Sequence, residues 1–375
     1  MTGKIIRGSG GPPPTPPSPT RAPDTLNSRQ FATIQDLLSE GEIEGFATAS
    51  KAGLTKGTTA YNNAALKDIF LNDTPILNSS ASNTNPQTAD FNFQNVGFTP
   101  RFGTSNQEHI PGIESSQSLT SVGVTVTNST PVTRQITNTN VDAVKVTITF
   151  PQLQKATDEG DLLGSSVQLK IQVQYNGGGF NDAFSPDTIT GRTADAYQKE
   201  YRVNITGAFP VDIRVVRITA DSTSSNLIDA FTWTSIGEIV DDKQRYLNSA
   251  YTNLRIDSEQ FSSIPKRSFR IRGVKVRIPG AGASSSGTPT VDLQTGRIIY
   301  PSGYIFNGTM GAAVWCSCPA MILLDLLTTE RYGFGTHITD SNLDLFSFVA
   351  ASRYANELVS DGFEGQEARF SCNVN

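Results

Sequence analysis

Alternation of apolar and polar residues dominates the chain between about residues 80 and 235. It puts the apolar side chains of each segment on one face, as in a strand packed on a core. Six or more such segments are separated by Gly, Asn and Ser turns such as Asn176-Gly177-Gly178-Gly179. The clearest faces are Val122, Val124 and Val126; Val144, Val146, Ile148 and Phe150; and Val167, Leu169, Ile171 and Val173. This spacing predicts a β-sandwich or β-barrel.

The segment before this region predicts a helix, a loop and a turning strand. Within residues 24–43, Phe31, Ile34, Leu37 and Leu38 recur at helical spacing after a capping Asn27 or Ser28. Residues 47–64 are small and polar, which indicates a loop. Residues 68–76 predict a strand that turns over Asn72-Asp73-Thr74-Pro75.

Strand patterns continue after residue 241, and a pair of helices closes the chain. YTNLRIDS, RSFRIRGVKVRIP and TVDLQTGRIIY predict strands, the last turning at Gln294-Thr295-Gly296. Pro319 suits the first turn of a helix that ends near Gly333 or Gly335. A second helix follows, with Asp340 or Ser341 as its cap and Asp361-Gly362 closing the unit. The predicted fold is mainly β with a few helices (α+β).

A Pro-rich tract, GSGGPPPTPPSPTRAP, lies at residues 8–23. Such a composition forms extended stretches but no packed core, so residues 1–28 are expected to be a flexible or surface-draped arm. A ligand for a proline-reading domain is the less favoured interpretation. No secretory signal pattern is visible, and no stretch approaches the roughly 20 apolar residues of a membrane span. Synthesis in the cytoplasm is expected.

Charge and composition narrow the class of function. Charged residues make up 17% of the chain and the formal net charge is −5. General nucleic-acid binding needs a basic face, so specific nucleic-acid binding is not expected. A surface poor in charge and rich in Ser, Thr and Asn suits packing against neighbours in a large assembly.

Reactive residue types are sparse. Cys316, Cys318 and Cys372 are too few for a disulfide framework and lack an obvious fourth ligand for a metal. His109 and His337 lie in unrelated contexts, and the serine-hydrolase, phosphate-loop and metalloprotease motifs are missing from the sequence. We therefore expect no catalytic, cofactor-binding or metal-binding residues and no cofactor.

Two charged segments remain as candidates. Acidic residues that could serve a carboxylate mechanism are Glu40, Glu42 and Glu44 in SEGEIEG, and Asp241 with Asp242. Basic residues along one predicted sheet region are Lys266, Arg267, Arg270, Arg272, Lys275 and Arg277. A solvated or interfacial sheet face is the favoured interpretation of the basic segment, and an acidic partner surface is preferred to DNA.

Several longer motifs resemble one family. They are SEGEIEGF, LNDTPIL, ITADSTSSNL, WTSIGEIVDDKQRY, RIDSEQF, LTTERYGFG, SDGFEG and RFSCN. In number and order they resemble the host-specificity tail-tip proteins of long-tailed bacteriophages, the protein J family. The resemblance covers about residues 29–375, with looser agreement at 46–66 and 80–140.

The resemblance implies a structural protein of the virion tail tip. It implies a homotrimeric central hub with β-rich domains like those of contractile-tail baseplate hubs. Its partners would be the distal tail protein, other tail-tip proteins and the tape measure protein. Family members continue for several hundred residues into a fiber and receptor-binding region, so this sequence is expected to correspond to roughly the first third. We expect a discontinuous hub domain at 29–79 plus 236–375, with a β-sandwich-like domain inserted at 80–235.

Two other functions stay open at this point. A carbohydrate-binding or adhesin protein would expose aromatic residues such as Phe91, Phe93, Phe98 and Phe102. A cell-wall-degrading tip enzyme would use the SEGEIEG carboxylates. The resemblance favours the hub, which is not an enzyme.

Overall fold

Strands make up 40% of the chain, which confirms the mainly β prediction. The computed structural model describes residues 19–261 and 263–373. These residues form two compact units. The sandwich unit comprises residues 19–29 and 114–242, and the flanking unit comprises residues 30–113 and 243–373. Each is described by itself below.

The first part of the flanking unit contains five strands and two helices. They are β1 (Phe31–Glu40), β2 (Ile43–Phe46), α1 (Ala47–Lys51), α2 (Thr59–Leu66), β3 (Ile69–Leu71), β4 (Thr74–Pro75) and β5 (Gly97–Phe102). A 3₁₀ turn lies at Thr88–Asp90.

The sandwich unit contains the next twelve strands. They are β6 (Glu114–Thr125), β7 (Val132–Ile136), β8 (Ala143–Phe150), β9 (Gln154–Ala156), β10 (Leu162–Leu163), β11 (Ser165–Tyr175), β12 (Asn181–Asp182), β13 (Asp187–Gly191), β14 (Tyr197–Asn204), β15 (Val211–Arg217), β16 (Leu227–Ile228) and β17 (Thr232–Asp241).

The chain then returns to the flanking unit for nine strands and two helices. They are β18 (Ser249–Asp257), β19 (Arg267–Phe269), β20 (Ile271–Val274), β21 (Val276–Pro279), β22 (Thr290–Val291), β23 (Ile298–Ile299), β24 (Met310–Val314), α3 (Pro319–Thr328), α4 (Leu345–Ala355), β25 (Leu358–Ser360) and β26 (Gln366–Ala368). Further 3₁₀ turns lie at Ser258–Gln260, Ala283–Ser285 and Asp340–Asn342.

Two main antiparallel sheets enclose the core of the sandwich unit. One has the order β14-β8-β17-β6, and the other has the order β12-β11-β15-β7 with β13 also paired to β11. The predicted faces of β8 and β11 are buried in one apolar cluster, where Trp233 and Phe231 join them. The alternation in β8 and β11 therefore reflects packing on a core, as the sequence predicted, whereas Val124 of the face predicted in β6 is 37% exposed. Within the described chain no sheet closes into a barrel.

The flanking unit is built from smaller antiparallel sheets with helices beside them. Its largest sheet has the order β1-β18-β5, and β19-β3-β4 forms a second. The predicted turn between β3 and β4 is present, with Asn72 and Asp73 both at positive φ. The predicted helical pair is present as α3 and α4, and Pro319 is the first residue of α3.

Several local predictions were wrong. Residues 31–40 form strand β1 rather than a helix, and residues 47–64 contain α1 and most of α2 rather than a loop. Helix α3 ends at Thr328, so its C-cap is Thr329 and neither glycine of RYGFG. Helix α4 is capped by Asp344, whose Oδ1 accepts hydrogen bonds from the backbone of Phe346 and Ser347. Asp340 and Ser341 form the preceding 3₁₀ turn instead.

The division into units differs from the expected bounds of 80–235. Residues 80–113 lie in the flanking unit because β5 pairs with β18 along residues Gly97–Phe102. Residues 236–242 lie in the sandwich unit because β17 runs on to Asp241 between β8 and β6. The assignment of a hub domain and an inserted domain to these units stays a proposal.

Part of the Pro-rich arm is held on the sandwich unit. The backbone of Ala22 donates to Leu162, and Gln198 donates to Ser28 Oγ at 2.8 Å. Arg192, which is almost fully buried, donates to Asp24 and to the carbonyl of Ala22. Residues 20–28 therefore lie along the surface of the sandwich unit. The tract at residues 8–18 lies outside the described residues.

Candidate interaction surfaces

The basic residues of the β19–β21 segment bind carboxylates of the same unit. Arg267 forms a two-pronged ion pair with Asp36, at 2.7 and 2.8 Å. Arg270 pairs with the buried Asp68, with 2.8 Å between Nε and Oδ1. These paired hydrogen bonds fix the arginine side chains, and the carboxylates neutralise their positive charge. An acidic partner surface is therefore not needed to explain this part of the sequence.

The other basic residues of this segment are also engaged. Arg277 binds Asp340 through two contacts of 2.7 Å, and Lys275 Nζ lies 2.7 Å from Glu42 Oε1. Arg272 is buried over the ring of Trp315, 4.2 Å from its centroid, and burial lowers its pKa. Lys266 and Arg270 have the more exposed side chains, 73% and 58%, and Lys266 pairs with the exposed Asp73 at 3.6 Å.

The SEGEIEG carboxylates form ion pairs with basic residues of the same unit. Glu40 accepts from Arg331 Nε at 2.5 Å, and Glu42 and Glu44 both face Lys275. Gly45 in strand β2 has φ +135°, and a Cβ there would lie 2.2 Å from the Tyr61 hydroxyl. That hydroxyl accepts a hydrogen bond from the backbone of Phe46, so β2 is fitted closely to the buried Tyr61. These contacts describe a packed connection between β1 and β2.

The second carboxylate pair lies in and beside β17. Asp241 accepts two hydrogen bonds from Arg202 Nη2, at 2.6 and 2.8 Å. Its own backbone donates to Asp142. Asp241 therefore ties β17 to β14 in the sandwich unit, and Asp242 is the next residue along the chain.

The three cysteines lie in one region, because the Cys372 backbone donates to the carbonyl of Ser317, between Cys316 and Cys318. Cys316 and Cys318 are buried and Cys372 is exposed, all as free thiols. Cys318 Sγ lies 3.2 Å from Ser352 Oγ, and burial raises the pKa of Cys316 to about 12. In residues 19–261 and 263–373 no three His, Cys, Asp or Glu side chains are arranged to hold a metal ion.

The aromatic residues suggested for sugar binding are packed inside the flanking unit. Phe98 meets Phe46 edge-on at 5.2 Å, and Phe102 meets Tyr61 at 5.6 Å. Phe93 stacks on Phe261, and Phe91 packs against the same core. Core packing was the simpler explanation of these residues, and their contacts agree with it.

Two surfaces stand out that sequence patterns did not single out. Strand β6 is a twelve-residue sheet edge, nearly all of it exposed, with Leu119 the most prominent apolar side chain. Helix α3 exposes Leu323 and Leu326 although most of its residues are apolar. Long exposed edges and apolar patches are typical of surfaces that contact other proteins. The sequence did contain a signal for the second surface: α3 has more apolar residues than one buried face requires, so some of them must be exposed.

The longer segment of the sandwich unit, residues 114–242, has nearly the same bounds as a match to a known family model. Residues 116–242 match the family model of the FNIII-A domain of tip attachment protein J. Over 361 residues the chain is 32% identical to tip attachment protein J of Escherichia phage SECphi4, covering 94% of this chain. The chain is similar to tip attachment protein J. The corresponding protein of Escherichia phage SECphi27 is 29% identical over 376 residues and covers 100% of this chain.

The chain spans 28% of the length of these two tip attachment J proteins. Among solved structures, one titled "CBM4 structure and function" matches 48% of this chain and 95% of its own, at 15% identity and a TM-score of 0.17. One titled "Structure of infectious bursal disease virus Gx strain" covers 65% of this chain and 64% of its own, at 9% identity and a TM-score of 0.18. Both scores are too low to support a shared fold. Among helices of the described ranges, none is long and apolar enough to cross a membrane.

Proposed function

We propose that this chain is a structural component of a long-tailed bacteriophage tail tip and forms its trimeric central hub. The observation that carries the proposal is the relationship to tip attachment protein J along 94% of the chain. In this role the protein closes the end of the tail tube and carries the region that leads to the receptor-binding fiber. Its place in the virion is the tail tip, after synthesis in the host cytoplasm.

The two units take different parts in this proposal. The flanking unit is the hub domain, and the sandwich unit is the inserted domain that faces outward or packs on a neighbouring tip protein. A ring of three copies requires side-to-side interfaces in which different surfaces of each copy meet. A surface with few charges and the long β6 edge support such contacts.

The proposed partners are two further copies of this chain, the distal tail protein, other tail-tip proteins and the tape measure protein. A net charge of −5 argues against a DNA-gripping surface, so genome passage during ejection would meet a repelling wall. Enzymatic activity is not part of the proposal. Its support is that Glu40, Glu42 and Glu44 are held in ion pairs with Arg331 and Lys275.

Electron cryomicroscopy of intact tail ends tests the hub. We expect three-fold density on the tail axis into which the sandwich and flanking units fit, and loss of that density in particles made without this chain. Tail ends that contain the chain without three-fold density would contradict the proposal.

Two further measurements separate the alternatives. A glycan-array signal from a purely monomeric product would favour the carbohydrate-binding function. Peptidoglycan turnover that disappears in Glu42→Gln would favour the wall-degrading enzyme. We expect neither signal, and in Glu42→Gln we expect only a small loss of stability from the weaker contact with Lys275.

A further inference from the structure

The hairpin formed by β25 and β26 holds an aromatic side chain in water. Phe363 lies at its tip and is 89% exposed, the highest value among the large apolar residues described. Exposed single apolar residues are common, but a Phe so fully exposed on a turn is hardly buried by the residues that the structure describes. Its side chain is therefore available for contact with another surface.

The turn that carries Phe363 is fixed by Asp361. Asp361 Oδ1 accepts hydrogen bonds from the backbone of Phe363 at 2.8 Å and of Gly365 at 2.9 Å. The backbone of Asp361 donates to Gly365, and a Cβ at Gly365 would lie 2.3 Å from Asp361 Oδ2. Phe363 is thus presented on a closed, ordered turn. A contact residue held in this way loses little conformational entropy on binding.

The surroundings of Phe363 are acidic. Residues 357–368 contain the four carboxylates Glu357, Asp361, Glu364 and Glu367 and no Lys or Arg. The first basic residue after them, Arg369, pairs with Glu357 at 2.8 Å. A nucleic acid or an anionic membrane would be repelled by this charge. A protein surface that carries Lys and Arg would be attracted by it.

Further apolar surface lies at the base of the hairpin. Tyr354 and Phe370 contact each other with ring centroids 6.2 Å apart, and both are more than half exposed. Leu358 in β25 is exposed as well. Aromatic residues at the centre of a charged or polar rim are typical of the residues that dominate binding energy at interfaces.

We propose that this acidic hairpin, residues 357–370, is a docking element whose Phe363 enters an apolar pocket rimmed by Lys and Arg on another tail protein. The inference rests on the proposed place of the chain in the tail tip. A second copy of this chain fits less well because its net charge is −5 and its β19–β21 cations are already paired with Asp36, Asp68 and other carboxylates.

Photo-cross-linking in assembled tails tests the docking element. The probe is p-benzoylphenylalanine at position 363 of the full chain. The matched control carries the same probe at Phe346, which is exposed on α4 and lies outside the acidic hairpin. We expect position 363 to cross-link to a Lys- and Arg-containing peptide of a different tail protein, at about tenfold or higher yield than position 346. Cross-links confined to copies of this chain, or equal yields at both positions, would overturn the proposal.

Two substitutions test the chemistry. Phe363→Ala and Glu367→Lys are both expected to weaken binding of the purified cross-linked partner about tenfold or more, whereas Phe346→Ala is expected to leave it unchanged. Both altered residues are exposed, so the thermal midpoint should stay that of the unaltered chain, which excludes misfolding. Unchanged partner affinity in Phe363→Ala would contradict the docking role. Three-fold density at the tail end is measured separately, so failure of this proposal and failure of the hub remain distinguishable.

Discussion

Arg217 is a charged side chain enclosed by the sandwich unit. It donates to the carbonyl of Asp229 at 2.6 Å and to the carboxylate of Asp229 at 2.8 Å. Asp221 approaches the same guanidinium from a more exposed position, at 3.2 Å. A buried ion is tolerated only when its charge and its donors are matched, so Arg217 depends more on Asp229 than on Asp221.

This difference predicts that Asp229→Asn lowers the free energy of unfolding more than Asp221→Asn does. The side chain of Asp229 is 8% exposed and that of Asp221 is 45% exposed. Asp229→Asn should lower the free energy of unfolding by about 3 kcal/mol because Arg217 keeps a buried charge without its counterion. Asp221→Asn should cost about 1 kcal/mol or less. Chemical denaturation of both variants measures the difference, and equal costs would contradict the assignment.

The cysteines give a second prediction at the scale of single residues. Burial raises the pKa of Cys316 to about 12, so its reactive thiolate is nearly absent at pH 8, and Cys318 is buried beside Ser352. Cys372 is exposed. Ellman's reagent should therefore titrate one thiol per chain rapidly in the native protein and three in denaturant. Cys372→Ser should abolish the rapid reaction, and rapid labelling of that variant would be inconsistent with the structure.

At the scale of elements, β1 shows what local patterns could not reveal. Phe31, Ile34, Leu37 and Leu38 fit helical spacing, but Ala32, Ile34 and Leu38 share the face that packs on the core, while Leu37 points to water. A bulge between Leu37 and Ser39 further blurs the alternation. Strand β1 is stabilised by pairing with β18, which lies more than 200 residues away in the sequence. A local pattern of apolar residues therefore cannot indicate this pairing.

Strands β8 and β11 were predicted correctly because each carries four regularly alternating apolar residues that are buried in a two-sheet core.

The candidate surfaces were harder to predict from the sequence. The basic residues of β19–β21 were identified, but their partners Asp36, Asp68 and Asp340 come from distant segments. Only the folded arrangement distinguishes a free basic face from a set of internal ion pairs.

The ion pair of Arg277 in β21 with Asp340, in the turn before α4, should stabilise the protein in a pH-dependent way. Hydrogen bonding from Arg277 lowers the pKa of Asp340, so its stabilising effect is present above the unfolded-state pKa and is lost as the pH falls through the folded value. Both side chains are more than one third exposed, which limits the effect to about 1 kcal/mol or less. Asp340→Asn should be less stable than the unaltered chain at pH 7 and equal to it near pH 2. Thermal melts at both pH values measure this, and a difference that persists at pH 2 would argue against the ion pair as its cause.

At the scale of the whole molecule, the sandwich unit has the connectivity of an inserted domain. Glu114 at the start of β6 is paired with Asp241 at the end of β17 in one antiparallel ladder. Apart from residues 19–29, which reach the unit separately, the chain therefore enters and leaves it through neighbouring positions, a few ångströms apart. The same bounds recur in the family match at residues 116–242. Such an insertion can in principle be removed without stretching the chain that surrounds it.

Excision of the insertion is therefore expected to give two folded proteins. A fragment of residues 114–242 should unfold cooperatively, because it keeps both main sheets and the core around Trp233. Residues 30–113 joined to 243–375 by a short Gly-Ser linker should do the same. The matched control is the fragment 80–235, which removes β5 from β18 and cuts β17 in the middle. Calorimetry and far-ultraviolet circular dichroism should show no cooperative transition for that control. A folded 80–235 fragment together with an unfolded 114–242 fragment would contradict the insertion, because only an intact β17 can pair with both β6 and β8.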